Sequence, residues 1–215
     1  MYIALEGVKG SGKSTLIKAL CNYFKKHGIT FKLACPTAQS SIFNLLELTA
    51  KLFPKLRKYD RFNEYLYATR SNLTALKIFN YSGLILGDRS IVTSYAYRWN
   101  KWIDKKKFVN RVNKLEFLIP APDFIIYLDI DAKESVNRIN RREKRSYGLK
   151  DESYMGIKEV LASYKEIVKQ PIVRIKNTIW YIINANNDFD FVFNECVMFI
   201  NNKIELTTKE AKYEY

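Results

Sequence analysis

The sequence predicts a single α/β domain in which a five-stranded parallel sheet is flanked by helices. Three observations carry that expectation. Five short runs are predominantly apolar, as strands covered on both faces are. Helical periodicity fills the intervals between them. The 215 residues, 47% hydrophobic against 27% charged, suffice for one full core and exclude a disordered chain.

Residues 2–6 (YIALE) predict the first strand, followed by a Gly-rich loop and a helix from about Lys13 to His27 that Gly28 stops. His27 is the only histidine. Its place in the last turn suits a helix C-terminus and removes histidine acid–base chemistry as a mechanism. Residues 30–35 predict a second strand, with helices over roughly 40–53 and 60–81. Residues 84–88 (LILGD), 124–129 (FIIYLD) and 178–183 (TIWYII) predict the remaining strands. After the fourth, Asp131-Ala132-Lys133-Glu134 has the pattern of a capping box. The polar end after about Lys203 predicts a frayed tail. No repeat, low-complexity stretch or Gly/Ser linker divides the chain, so residues 1–215 read as one domain.

Charge narrows the partners. Thirty-six Lys and Arg against 22 Asp and Glu give +14, which favours anionic partners such as phosphorylated small molecules, nucleic acid or acidic membranes. No run approaches the eighteen apolar residues of a membrane span. The three cysteines (Cys21, Cys35, Cys196) are scattered, which argues against a disulfide framework or a zinc site and for a cytoplasmic protein with free thiols.

The strongest chemical signal is Gly7-Val8-Lys9-Gly10-Ser11-Gly12-Lys13-Ser14, followed by Thr15. It is a full G-x-x-x-x-G-K-S match with a strand before it and a helix after it. Backbone N–H groups in such a P-loop close around the phosphates of ATP, helped by the positive helix N-terminus. Lys13 is expected on the β- and γ-phosphates and the Ser14 hydroxyl on Mg²⁺. Asp88-Arg89-Ser90 ends the third strand, at the carboxyl edge where ligands bind in open parallel sheets. A carboxylate there can serve Mg²⁺, and an adjacent arginine can bridge phosphates. Arg138, Arg141, Arg142 and Arg145 fall at i, i+3, i+4 and i+7, one face of a helix, and read as a lid over about 138–152 that brings arginines to transferring phosphate.

These residues together resemble the thymidylate kinases among the P-loop nucleoside monophosphate kinases, over roughly residues 1–190. Ala4-Leu5-Glu6-Gly7 through Lys13-Ser14-Thr15 is similar to the family's opening. Leu66-Tyr67-Ala68-Thr69-Arg70 resembles its FxxxR helix. Asp88-Arg89-Ser90 with Thr93 and Ala96-Tyr97 resembles its DR(Y/H/S)xxSxxAY segment, and Pro122-Asp123 through Leu128-Asp129 its PDLxLYLD strand. Arg138 falls where the family stacks an arginine on adenine, and Asn184-Ala185-Asn186 resembles a loop whose backbone touches adenine.

The resemblance implies ATP and Mg²⁺, a deoxynucleoside monophosphate acceptor, most simply dTMP, and a homodimer. By position it implies that Ser14 and Asp88 serve Mg²⁺, Arg89 clamps donor and acceptor phosphates, Arg70 hydrogen-bonds the base and Tyr97 excludes ribose. Gly10 stands where one branch of the family has a P-loop arginine, so the lid arginines Arg142 and Arg145 are expected in its place. Four departures bear on the acceptor. The P-loop acid is Lys9, no arginine follows Pro36 (Ala38 and Gln39 stand there), the base-stacking aromatic is Leu66 between Tyr65 and Tyr67, and Arg98 replaces a glutamine after the Ala-Tyr pair. Two alternatives stay open beside this reading: a deoxynucleoside kinase, and a nucleic-acid-binding P-loop protein. The second is prompted by the charge and by Lys101 and Lys105–Lys107 beside Trp99 and Trp102. Nucleic acid is the less favoured partner, because a solvated helix start accounts for those lysines.

Overall fold

The computed structural model describes residues 1–35, 60–142 and 152–213. Its centre is one sheet of five parallel strands: β1 (Tyr2–Glu6), β2 (Phe31–Ala34), β3 (Leu84–Asp88), β4 (Phe124–Asp129) and β5 (Ile179–Asn184). Their order across the sheet is β2-β3-β1-β4-β5. All five strands fall within a residue of the expected ranges. β1 is buried at every position and pairs with β3 (Leu5↔Asp88) and β4 (Leu5↔Ile126). Continuous apolar sequence belongs to such central strands. The edge strands are less covered: Leu33 in β2 and Ile179 and Ile182 in β5 are exposed.

Among the described residues seven α-helices surround the sheet: α1 (Lys13–Lys26), α2 (Asp60–Ile78), α3 (Ile91–Ala96), α4 (Lys105–Leu115), α5 (Ala132–Asn140), α6 (Tyr154–Lys169) and α7 (Phe189–Tyr213). α1 buries Leu16, Ile17, Leu20 and Phe24 along one stripe. His27 caps it, its Nδ1 lying 2.9 Å from Tyr23 O, and Gly28 leaves in the left-handed region (φ 66) that glycine tolerates. α6 buries Ile157, Val160, Leu161, Tyr164 and Ile167. α7 packs Val192, Cys196, Phe199 and Ile200 into the same core and extends past Lys203 to Tyr213. The helix expected over 40–53 lies outside the described residues.

Two expectations fail for local reasons. Asp131 is the N-cap of α5 but makes no side-chain cap bond. Its N–H donates to Asn186 Oδ1 at 3.0 Å, and Glu134 turns to Arg138 (2.8 Å), so the donor and the acceptor of the box's return bond are both engaged elsewhere. The helix expected to carry the arginines on one face stops before Arg142. α5 ends at Asn140 with Arg141 as C-cap, a position where cations suit the helix dipole, and Arg142 follows beyond the cap. Arg145 and the rest of 143–151 lie outside the described residues.

The tryptophans beside the lysine run belong to the core. Trp99 is 1% exposed and donates from Nε1 to Glu166; Trp102 stacks on Phe108 with centroids 5.6 Å apart. Lys105–Lys107 open α4, which Asp104 caps through Lys107 N. The Trp99 ring is therefore engaged inside the protein, whereas Trp102 is partly buried and lines a cavity with Arg61, Lys106, Lys107 and Arg111.

Candidate active site

The site forms at the carboxyl edge of β1 and β3, where the chain turns from β1 into α1. Gly10 and Gly12 adopt φ of 84° and 93°, accessible to glycine at little cost. Position 10 has a second constraint, because a Cβ there would stand 2.5 Å from Ser135 O. The P-loop arginine of one family branch has no room on this backbone. The loop folds around Lys13, whose Nζ donates to Gly7 O and Val8 O, both at 2.7 Å, and to Ser11 Oγ at 3.1 Å. Burial pushes the Lys13 ammonium well below the ordinary lysine range. Arg89 adds to that effect, Glu6 and Asp88 oppose it, and Arg142 adds to it again. These five side chains thus share one electrostatic neighbourhood, although they come from the P-loop, β1, β3 and the segment after α5. Val8, Lys9 and Ser11 complete the loop, while Ser14 and Thr15 are exposed at the start of α1.

Arg89 is strained. Its φ of 79° is the only positive value on a non-glycine residue among those described, and such backbone persists when its surroundings impose it. Here the surroundings are visible: Arg89 N donates to Leu5 O at 3.1 Å, and Tyr2 OH donates to Arg89 O at 3.3 Å. The turn directs the guanidinium at the loop and at α3. It lies 3.5 Å from Gly7 O, 3.3 Å from Thr93 Oγ1 and 3.5 Å from Tyr97 OH, with its carbon 5.3 Å from the Tyr97 ring centre. Asp88, Arg89, Thr93 and Tyr97, identified separately in the sequence, therefore meet at one place. Cys35 adds a long contact from Sγ to Asp88 Oδ2, 3.7 Å.

The residue that organises this cluster is Glu6, which the sequence reading used only as part of a motif. Its carboxylate is fully buried and accepts four hydrogen bonds. Ser90 N and Ser90 Oγ donate to Oε1, both at 2.7 Å; Thr93 Oγ1 (2.6 Å) and Tyr164 OH (2.8 Å) donate to Oε2. Four donors match the acceptor capacity of a carboxylate. Tyr164 was missed altogether. A tyrosine inside an apolar helix stripe carries no signal of its hydroxyl partner.

On the expected acceptor side, α2 carries Arg70 buried, Leu66 half-buried and Tyr67 exposed. Arg98, after α3, lies with its guanidinium carbon 5.7 Å from the Tyr67 ring centre, an arrangement that favours a cation. α2 is tied to α4 by Arg111 Nε on Glu64 Oε2 (2.9 Å) and Asn72 Nδ2 on Leu115 O (2.8 Å). On the expected adenine side, Arg138 is paired with Glu134. The Asn184-Ala185-Asn186 loop is fixed by Ala185 N on Asp129 O (2.7 Å) and Asn186 N on Asn184 Oδ1 (3.0 Å). Ala38, Gln39 and Arg145 are not among the described residues. The oxygen donors Ser14 and Asp88 have the hard-ligand chemistry that Mg²⁺ takes, and Asp88 stands in register with Leu5, one residue before Glu6 and two before the loop. No helix among the described residues is long and apolar enough to cross a membrane.

Comparison with known proteins agrees with this geometry. A profile describing thymidylate kinase matches residues 5–196. The chain is similar to a probable thymidylate kinase of Thermococcus onnurineus, 28% identical over 199 residues covering 87% of this chain and 94% of that one. It is similar to a probable thymidylate kinase of Thermococcus kodakarensis, 27% identical with 93% and 97% covered. A thymidylate kinase of Finegoldia magna is 26% identical, with 92% and 96% covered.

Proposed function

The chain belongs to the thymidylate kinase family, and from that premise we propose that it transfers the γ-phosphoryl group of ATP to the phosphate of dTMP, giving dTDP. The observation that carries this reading is the convergence of the P-loop lysine, Arg89, Thr93 and Tyr97 on one carboxyl edge, organised by the buried Glu6. The acceptor phosphate is itself the nucleophile, so the site needs alignment and charge neutralisation rather than a strong base.

In this reading the backbone N–H groups of the loop from Gly7 through Thr15 hold the triphosphate of ATP, and Lys13 moves its donors from the loop carbonyls to phosphate oxygens. A triphosphate also offsets the burial that depresses its charge. Arg89, aimed from a strained turn, bridges donor and acceptor phosphates. Arg142 and Arg145 add charge late in the reaction. Arg138 and the Ala185 backbone face adenine; Arg70, Leu66 and Arg98 face the acceptor base, and Tyr97 the sugar. Mg²⁺, held by Ser14 and Asp88, neutralises charge on the phosphates when bound. The same reading takes the protein as a cytoplasmic homodimer.

The test is ADP formation measured across dTMP, dUMP, dCMP, UMP and thymidine, with Lys13→Ala as the control. dTMP is expected to give the highest specificity constant. Thymidine as the best acceptor rejects the monophosphate-kinase reading, and full turnover by Lys13→Ala rejects the P-loop roles.

A further inference from the structure

Lys9, at the apex of the P-loop, holds both helices that bound the arginine-bearing connection. Its carbonyl accepts from Ser135 Oγ of α5 at 2.6 Å. Its ammonium lies 3.4 Å from Oε1 of Glu152, which directly precedes Ser153, the N-cap of α6. The pair is largely withdrawn from water, the two side chains being 19% and 8% exposed. α6 carries Tyr164, which donates to Glu6. So α6 is joined to the β1–P-loop unit twice, by an ion pair at its start and by a hydrogen bond further along. The family resemblance places an acid at position 9, which next to Glu152 would repel.

We propose that Lys9 and Glu152 form a positioning pair that sets α5 and α6 against the P-loop, and thereby places Arg142 relative to Lys13. The inference rests on the kinase reading for its kinetic readout. At 3.4 Å the contact is charge attraction more than a well-formed hydrogen bond, so its effect depends on the signs of the two charges and is open to exchange. A buried charge left without its partner is costly, so either residue reversed alone pushes the helices away from the loop. Lys9 acting directly on phosphate makes the opposite demand: the cation must stay at position 9.

The experiment is a charge exchange: Lys9→Glu, Glu152→Lys and the double variant, each read by kcat, KM for ATP and thermal midpoint. Each single variant is expected to lose about tenfold or more in kcat with KM for ATP within about threefold, and the double variant to return to within about threefold of wild type. A double variant no better than the worse single overturns the pair in favour of a direct phosphate contact by Lys9. Higher kcat in Lys9→Glu overturns it too, by showing that an acid serves better there. A double variant that recovers its thermal midpoint but not kcat reduces the pair to a fold contact and overturns the positioning role. The wild-type rate with dTMP is measured first. Its absence rejects the function proposed above, and the same exchange is then read on basal ATP hydrolysis, which needs the phosphate alignment but no acceptor nucleotide.

Discussion

Tyr164 and Glu6, 158 residues apart in sequence, meet in a buried hydrogen bond of 2.8 Å. Through it a helix that contributes nothing else to the carboxylate shell holds the residue on which the Asp88-Arg89-Ser90 turn depends. Glu6 takes Ser90 N on one oxygen and Thr93 Oγ1 on the other, and Thr93 Oγ1 in turn accepts from Arg89. Arg89 is thus held at the end of a chain of hydrogen bonds that begins in α6.

Replacing Glu6 with Gln turns one acceptor oxygen into an NH₂ that faces donors. The cost of leaving such buried groups unmatched is about 1–3 kcal/mol, and the Arg89 guanidinium loses the support that reaches it through Thr93. We expect Glu6→Gln to lower kcat/KM for dTMP by ten- to a hundredfold. Tyr164→Phe removes one donor of four and should cost about tenfold or less. Both are checked by steady-state kinetics beside thermal melting. A Tyr164→Phe enzyme more impaired than Glu6→Gln contradicts the order of the chain.

Arg174 is a structural counterpart that no sequence signal marked. It donates to Asn113 O (3.5 Å), Asn113 Oδ1 (3.2 Å), Glu116 O (2.7 Å) and the carbonyl of Ile119, closing the end of α4 and the turn beyond it. Asn113 Oδ1 also accepts from Tyr95 OH at 2.5 Å, which joins α4 to α3. We expect Arg174→Met to lose about 2–3 kcal/mol of stability, or about 5–10 °C in melting temperature for a chain of this size. The KM for dTMP should change little. Unchanged melting would show that the carbonyls find other partners.

The central fold was legible because its signals are local. An apolar run before Gly7 and the glycine spacing of the loop place β1 and α1 without tertiary information, and Asp88 ends a strand whose composition allows little else. What stayed hidden was decided by partners distant in sequence. Asp131 and Glu134 satisfy a capping-box pattern, yet Asn186 and Arg138 win both groups. The arginines at 138, 141 and 142 share helical spacing, but α5 stops at Asn140. Spacing describes a face only while the helix continues. The Trp99–Trp102 pair reads as a basic-aromatic surface in one dimension, whereas Glu166 holds Trp99 inside the protein and Phe108 stacks on a partly buried Trp102.

The three thiols differ in burial. Burial pushes the Cys196 thiol up to about 12, with Glu195 adding to it. At pH 8 its thiolate fraction is about one in ten thousand, and the side chain is fully buried. Burial raises Cys21 as well, with Lys25 opposing, but Cys21 and Cys35 are only partly covered. We expect iodoacetamide at pH 8 to modify Cys21 and Cys35 in the folded protein and Cys196 only after denaturation. Peptide mapping reads this directly. Early modification of Cys196 would mean that α7 opens readily from the sheet.

Tyr97 makes the sharpest prediction because its ring and its hydroxyl do separable things. The hydroxyl lies 3.5 Å from Arg89 Nη2, and the ring centre stands 5.3 Å from the guanidinium carbon. If the ring fills the space of a ribose 2′-hydroxyl, Tyr97→Phe keeps the exclusion and loses only a weak contact to Arg89. Tyr97→Ala loses both the exclusion and the support for Arg89. An apolar wall discriminates against an added hydroxyl by about 1–3 kcal/mol, which is roughly five- to 150-fold in specificity. The dUMP-to-UMP ratio of kcat/KM should therefore be unchanged in Tyr97→Phe and fall by about tenfold or more in Tyr97→Ala, while kcat falls for both substrates in the alanine variant. Base discrimination should respond to Leu66 instead. Leu66→Phe restores aromatic stacking worth about 1 kcal/mol and should improve dTMP over dCMP by roughly fivefold without moving the sugar ratio. A Tyr97→Phe enzyme that accepts UMP as well as dUMP would locate the sugar check in the hydroxyl and not in the ring.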